Sequence, residues 1–251
     1  MKLGLNWIEV APSSHLTGAL SDRRLEIPTR CDWQDEACRI AGVVIANGDA
    51  RGNTDHSCCV PAGAWQAVRI MRAIVAGDTR DFTTPQVMQT YADWSGYNWT
   101  PETDLGTRSD LAGALWGSKG LWWDDQLEDV PQVVPLGLDH LRAAVAFLGP
   151  VQVDLALPIA WQTESVWDAV DGPVGEPGSW GSHRVCIAGY GPYLSNVVTW
   201  GEEVGITAAG LAKYALGAWA SVSRSWLDAT GKTPAGLDFD ALAAEGAALT
   251  E

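Results

Sequence analysis

The chain has 251 residues, of which 31 are acidic and 16 are Lys or Arg, so its formal net charge is −15. This acidic balance argues against a nucleic-acid partner, because phosphate binding needs clustered Lys and Arg. No apolar run approaches the roughly 20 residues that cross a bilayer, so we expect no membrane partner.

Residues 1–14 lack a basic stretch followed by an apolar one, so we expect no signal peptide and a reduced protein made in the cytoplasm. The cysteines are Cys31, Cys38, Cys58, Cys59 and Cys186. Because their number is odd, at least one thiol is free or pairs between chains. Cys31 and Cys38 suit a local disulfide or, with His56 and Cys58, a zinc site. Their spacing matches no standard short zinc motif, so we expect no metal and no cofactor.

The first half of the chain predicts a strand, a turn and a long helix. Residues 43–45 (Val-Val-Ile) before Asn47 predict a strand that enters a turn. Residues 60–76 carry apolar side chains at helical spacing, and Pro61 suits a first helical turn. Cys59 therefore lies at a predicted helix N-terminus, where backbone N–H groups and the helix dipole favour thiolate over thiol. Such a cysteine is a candidate nucleophile, although an inert, half-buried cysteine has the same pattern.

The middle of the chain predicts two helices and a strand. Residues 107–110 have the form of a capping box that opens a short helix. Residues 123–136 indicate an acidic connector between lobes. We expect Asp139 to cap a helix that Gly149 ends. Residues 151–157 alternate between apolar and polar side chains, which predicts a half-buried strand.

The last third predicts a small antiparallel sheet followed by helices. Residues 183–190 and 196–200 are predicted strands, joined by a tight turn, and they complete a sheet with residues 151–157. Residues 207–227 have apolar side chains on one helical face and predict one long helix. Residues 238–249 predict a weaker last helix.

Three motifs in this part of the chain resemble papain-like cysteine peptidases. Residues 141–157, with Gly-Pro-Val at the centre, look like that family's helix and following strand. Residues 181–185 (Gly-Ser-His-Arg-Val), followed by residues 189–192 (Gly-Tyr-Gly-Pro), are similar to its histidine strand and turn. Residues 198–201 (Val-Thr-Trp-Gly) fall where the family has Asn-Ser-Trp-Gly.

A fourth motif lies upstream and completes the ordered set. Cys59 opens a helix as the family's nucleophile does, and Asn53 falls where the family has a Gln that donates to the oxyanion. The resemblance spans about residues 50–205. The pattern looks most like the papain-like proteins of actinobacterial phages.

The resemblance implies a catalytic set for acyl transfer. The Cys59 thiolate attacks an acyl carbon, and His183 takes and returns the proton. The Cys59 N–H and the Asn53 amide stabilise the oxyanion. The resemblance also implies that Trp200 and Ser182 contact the substrate. His56 lies three residues before Cys59 and is expected at the rim or in a turn.

One position departs from the family's pattern. The asparagine that orients the imidazole falls on Val198, whose side chain has no hydrogen-bonding group. Thr199, Asn196 or a backbone carbonyl are the candidates for holding His183 instead. The orientation of the ring affects the rate by orders of magnitude, so this position bears on whether the site is active.

We therefore expect an α+β papain-like fold with a core at residues 51–205. A helical lobe at about 51–125 would pack against a sheet lobe at about 136–205. Residues 1–50 would wrap the lobes, and residues 206–251 would add helices outside the core.

Three functions fit these features. The first is a cysteine hydrolase of phage origin that acts on peptide or isopeptide bonds. The second is a phage structural or accessory protein that keeps the fold without turnover, made in the host cytoplasm and incorporated in the virion with other phage structural proteins. The third is an NlpC/P60-type cell-wall amidase acting on peptidoglycan stems, which ranks lower because its histidine usually follows its cysteine more closely than His183 follows Cys59.

Overall fold

The computed structural model describes residues 5–6, 26–121, 132–133, 136–221 and 223–238. Within these ranges the helices are Trp33–Ala41 (α1), Cys59–Ala76 (α2), Thr84–Ser95 (α3), Ala112–Lys119 (α4), Leu138–Leu148 (α5) and Ala208–Tyr214 (α6). The strands are Leu5–Asn6 (β1), Cys31–Asp32 (β2), Thr107–Arg108 (β3), Gln132–Val133 (β4), Val151–Leu157 (β5), Val166–Trp167 (β6), Gly181–Tyr190 (β7), Leu194–Thr199 (β8), Glu202–Thr207 (β9) and Ala215–Ala220 (β10). The predicted α+β class is confirmed.

Helix α2 is the centre of the first hydrophobic core. Trp65, Val68 and Met71 are fully buried, as the helical spacing of the apolar residues predicts. Gly77 ends the helix in the left-handed conformation. We call the buried apolar residues around α2 the helical cluster. Its members from outside α2 include Val87 and Tyr91 of α3.

The large sheet lies between this cluster and a second one. Its strand order is β4-β10-β5-β7-β8-β9-β6, with β2 also paired to β7, and all pairs are antiparallel except β6 with β9. Val153 and Val185 point into the sheet cluster, the apolar core that the sheet forms with α5 and α6. Cys186 and Ala188, on the opposite face of β7, belong to the helical cluster. The central strands are therefore covered on both faces.

This two-sided cover corrects the prediction for β5. The strand was expected to be half-buried, yet all seven of its residues are buried. The alternation in the sequence is real, since Val153 faces the sheet cluster and Gln152 and Asp154 lie on the other face. Helix α2 covers that other face, so it is not exposed to solvent. Alternation alone does not distinguish these two environments.

The predicted long helix at residues 207–227 is wrong. Helix α6 ends at Tyr214, and β10 follows at once. This strand pairs with β5 on one side and β4 on the other. Gly217 within this stretch disfavours a helix by about 1 kcal/mol relative to alanine. The pairing with two neighbouring strands then outweighs the apolar pattern. The helix predicted at residues 238–249 lies almost wholly outside the described residues, as does most of the connector at residues 123–136.

Three smaller predictions also need correction. Thr107 lies in strand β3, which pairs with β1, and α4 has no side-chain cap, so the predicted capping box is not formed. Asp139 lies in the first turn of α5, and the capping position is Gly137. Residues 43–45 form no strand, and Val43 and Ile45 are buried in the helical cluster.

Gly149 ends α5 as predicted, with a positive φ of 95°. A Cβ at this position would lie 2.8 Å from the ring of Trp226, so a larger residue does not fit. No helix in the described ranges is both long enough and apolar enough to cross a membrane.

Candidate active site

Cys59 is the first residue of α2, and its side chain is 1% exposed. The backbone N–H groups of this first turn point out of the N-terminal end of the helix. The turn before it is held by the carboxylate of Asp104, which accepts a hydrogen bond from the Ser57 N–H at 2.8 Å. Tyr91 donates to the same carboxylate at 2.9 Å. Asp104 is remote from Cys59 in sequence, and no local pattern points to it.

None of the five cysteines is in a disulfide, so Cys31 and Cys38 do not form the local bridge that their spacing left open. Burial, and then the neighbouring Cys59, raise the pKa of the Cys58 thiol well above its usual range. Burial raises the pKa of Cys31 and of Cys186 to about 12 each. Within the described part of the chain, no group of three or more His, Cys, Asp and Glu side chains is arranged to hold a metal ion.

His183 lies in β7 opposite Leu155, and its ring is fully buried. Nε2 is 2.7 Å from Oγ1 of Thr199. Nδ1 is also buried and makes no hydrogen bond, so it is not bonded to the Cys59 thiol. Burial lowers the pKa of the imidazole from its usual 6.5 to about 3. The ring is therefore neutral at pH 7.

Thr199 makes the contact that the sequence left open among several candidates. Val198 does not take this position, because it belongs to the helical cluster on the other face of β8. When Nδ1 is unprotonated, the Nε2–H of His183 donates to the Thr199 hydroxyl. In that tautomer Nδ1 is the ring nitrogen that can accept a proton.

Trp200 connects His183 to Asn53. Its ring stacks on the imidazole with centroids 4.2 Å apart and an interplanar angle of 14°. Its Nε1–H donates to the backbone oxygen of Asn53 at 3.1 Å. The next residue, Gly201, lies against the preceding part of the same loop, since a Cβ there would lie 2.5 Å from the backbone nitrogen of Asp49. The turn that carries Asn53 is therefore docked against the end of β8.

A cavity that opens to solvent, with about 340 Å³ of empty space including its mouth, brings several predicted residues together. Its lining includes Cys59 and Asn53 on the side of α2, and Thr199 and Trp200 on the side of the sheet. The described residues that line the cavity do not include His183. Its ring is in contact with Thr199 and Trp200, which do.

Sequence reasoning missed a buried ion pair at this cavity. Arg184 pairs across the sheet with Asp154, with Nε to Oδ1 at 2.6 Å and Nη2 to Oδ2 at 2.8 Å. Its guanidinium also lies over the ring of Trp219, 4.4 Å from the centroid. Burial raises the pKa of Asp154, and the charge of Arg184 opposes that shift. The alternation in β5 placed Asp154 on the polar face, but the sequence carries no signal that α2 covers this face.

The remaining predicted residues lie around the site. His56 is partly exposed, with Nδ1 3.4 Å from the Tyr97 hydroxyl and 3.8 Å from the Asp104 carboxylate. Ser182 is half-buried in β7, beside His183 and opposite Ala156. The substrate contacts expected of Ser182 and Trp200 stay predictions.

No protein-family model and no curated protein matches the sequence. Solved structures do resemble the fold. The proform of the ragweed pollen cysteine protease Amb a 11 has a TM-score of 0.54 and 18% identity, over 83% of this chain and 74% of that one. Procathepsin B from Trypanosoma congolense has a TM-score of 0.56 and 11% identity, over 87% of this chain and 83% of that one.

A cysteine protease of Carica candamarcensis in complex with E-64 has a TM-score of 0.52 and 17% identity, over 78% of this chain and 99% of that one. Identities this low establish the architecture alone. The chain has the fold of papain-like cysteine proteases.

Proposed function

We propose that this chain, which has the papain-like fold, is a cysteine hydrolase that acts on peptide or isopeptide bonds. One observation carries the proposal. A single cavity is lined by Cys59 at a helix N-terminus, by Asn53, and by Thr199 and Trp200, which hold the ring of His183. These are the groups that thiol-based acyl transfer requires.

In the proposed reaction Nδ1 of His183 takes the proton of the Cys59 thiol. The sulfur then forms a bond to the substrate carbonyl carbon, and the carbonyl oxygen becomes an oxyanion. As the C–N bond breaks, His183 returns the proton to the leaving amine. Water next attacks the thioester and gives a proton to His183, which returns it to the departing thiolate.

The oxyanion needs hydrogen-bond donors that are fixed before the reaction begins. The N–H of Cys59 is one candidate because Cys59 is the first residue of α2, where backbone N–H groups point out of the helix end. The side-chain amide of Asn53 is the second. Removing one such donor typically costs about 3 kcal/mol of transition-state stabilisation.

The proposed substrates are extended peptides or peptidoglycan stem peptides. The peptide class is supported by the fold, which the three proteases above share. The motif pattern supports an origin in an actinobacterial phage, with synthesis in the host cytoplasm and incorporation in the virion among other phage structural proteins.

A second candidate function is a virion accessory protein that does not turn over substrate. It is favoured by the complete burial of His183, because burial opposes the charged imidazolium that the reaction forms. In this case Cys59 and His183 would be parts of the core.

Hydrolysis of a panel of peptides and peptidoglycan stems tests the two candidates. Wild-type protein should be active and Cys59→Ala inactive. Cys58→Ala is the matched control and should stay active, because the neighbouring thiol lies outside the proposed mechanism. Equal inactivity of wild type and Cys59→Ala would leave the accessory role.

A further inference from the structure

Two polar side-chain atoms at the cavity beside Cys59 are buried without a hydrogen-bond partner. One is Oδ1 of Asn53, a residue that is 4% exposed, and the other is Nε2 of Gln66. Buried polar atoms of native proteins nearly always have a partner, either in the protein or in an ordered water. One of these atoms is an acceptor and the other is a donor.

The geometry of α2 explains why Gln66 reaches this cavity. Cys59, Ala62, Gly63 and Gln66 follow at the i, i+3, i+4 and i+7 positions of the helix, and all four line the cavity. They therefore share one face of α2. Gln66 lies two turns along that face from the proposed nucleophile.

The backbone of Asn53 is fixed at both of its polar groups. Its N–H donates to the Ala50 oxygen at 2.9 Å, and its own oxygen accepts from Trp200 at 3.1 Å. Only the side-chain amide of Asn53 is left to be oriented. The two ends of that amide have opposite effects on an oxyanion, since NH₂ stabilises it and the carbonyl oxygen repels it.

We propose that an ordered water in this cavity bridges Gln66 and Asn53, and that Gln66 is thereby a positioning residue for the oxyanion donor. The water accepts a hydrogen bond from Nε2 of Gln66 and donates one to Oδ1 of Asn53. A water occupies about 30 Å³ of liquid, which the cavity can hold. With Oδ1 turned to the water, the NH₂ group of Asn53 is the end directed to the substrate. This inference rests on the proposed hydrolase function.

A substitution series separates positioning from general stability. Gln66→Leu keeps the size of the side chain but removes its donor. We expect kcat to fall roughly five- to tenfold, the effect of one hydrogen bond, with KM nearly unchanged. Gln89→Leu, at an exposed position of α3, is the matched control and should keep the wild-type kcat.

A double-mutant cycle then identifies the group through which Gln66 acts. If Gln66 works through Asn53, adding Gln66→Leu to Asn53→Ala should cause no further loss of kcat. Independent losses that multiply in the double variant would overturn the proposal. An unchanged kcat in Gln66→Leu would do so as well.

The water itself is tested without any activity. A high-resolution crystal structure of wild-type protein should show an ordered water within hydrogen-bond distance of both side chains, and Gln66→Leu should lose it. A direct bond between Asn53 and Gln66, or a dry cavity, would overturn the proposal. If the water is present but wild type hydrolyses nothing, the bridge stands, and both the hydrolase function and the positioning role are wrong.

Discussion

At the scale of single residues, Thr199 provides the hydrogen bond to His183 at 2.7 Å, while Val198 packs in the helical cluster. Thr199→Val keeps the shape of the side chain and removes the hydroxyl. In the proposed hydrolase we expect kcat to fall at least about tenfold with little change in KM, because a ring that is not oriented transfers protons poorly. Steady-state kinetics measures both quantities.

Thr199→Ser is the rescue variant, since it retains the hydroxyl, and it should keep most of the activity. Val198→Asn should not raise the rate, because its side chain lies on the face of β8 away from the imidazole. A gain in rate from Val198→Asn, together with full activity of Thr199→Val, would show that Thr199 has no orienting role.

Burial of His183 also predicts how stability depends on pH. The pKa of the ring is about 3 in the folded protein and near 6.5 when the ring is exposed. Between these values the unfolded chain binds a proton that the folded chain does not. Above pH 6.5 the ring is neutral in both states, so its burial does not lower the free energy of unfolding. As pH decreases below 6.5, the free energy of unfolding should fall by up to about 1.4 kcal/mol per pH unit.

Urea unfolding at pH 7.5, 6.5 and 5.5 measures this slope. His183→Gln should lose the decrease between pH 6.5 and 5.5, since Gln binds no proton. His140→Gln, at an exposed position of α5, should keep it. If wild type and His183→Gln have the same slope, the ring is not buried as described.

The sequence predicts the role of a single residue only where that role depends on residues beside it in the chain. The place of Cys59 at a helix N-terminus follows from the residues beside it, and the structure confirms it. The contact of His183 with Thr199 was one of several open alternatives, because the register of β7 with β8 decides which side chain faces the ring. The burial of the ring depends on packing across the sheet, which no local pattern reports.

At the scale of secondary structure, α2 and β10 show what periodicity can decide. The apolar spacing predicted α2 almost to its ends, since a helix makes its hydrogen bonds within itself. β10 makes its hydrogen bonds to β5 and β4, which are distant in sequence. The apolar spacing of residues 215–220 therefore predicts a helix, although these residues form a strand.

The cross-strand pair of Arg184 and Asp154 gives a prediction at this scale. Its side chains are 3% and 0% exposed, so Arg184→Met leaves an uncompensated carboxylate between β5, β7 and α2. Removing one partner of such a pair costs about 3–5 kcal/mol of stability. Chemical denaturation should show a loss of this size.

Replacing both partners is the companion experiment. The double variant Arg184→Met, Asp154→Leu should recover most of the lost stability, because no buried charge remains. Arg108→Met, which removes the exposed partner of the ion pair with the half-buried Asp110, should change stability little. A loss in the double variant as large as in Arg184→Met would contradict this account of the pair.

At the scale of the whole molecule, the proposed site lies where the two hydrophobic clusters meet. Three residues of the sheet belong to the helical cluster, namely Cys186, Ala188 and Val198. Trp200 packs against the sheet cluster and donates a hydrogen bond to the backbone oxygen of Asn53. The overall α+β arrangement could be predicted from ordered motifs. The covering of both sheet faces could not be predicted. The burial of the Arg184–Asp154 ion pair and of the His183 imidazole depends on that covering, so it could not be predicted either.

The central claim is that Cys59 is a nucleophile activated by His183. Mass mapping after treatment with the thiol-directed epoxide E-64 tests it most directly. We predict a single adduct on Cys59 in wild-type protein, and no adduct in folded His183→Gln. Modification of the exposed Cys38 with Cys59 left unmodified, or equal labelling of Cys59 in wild type and His183→Gln, would contradict the claim.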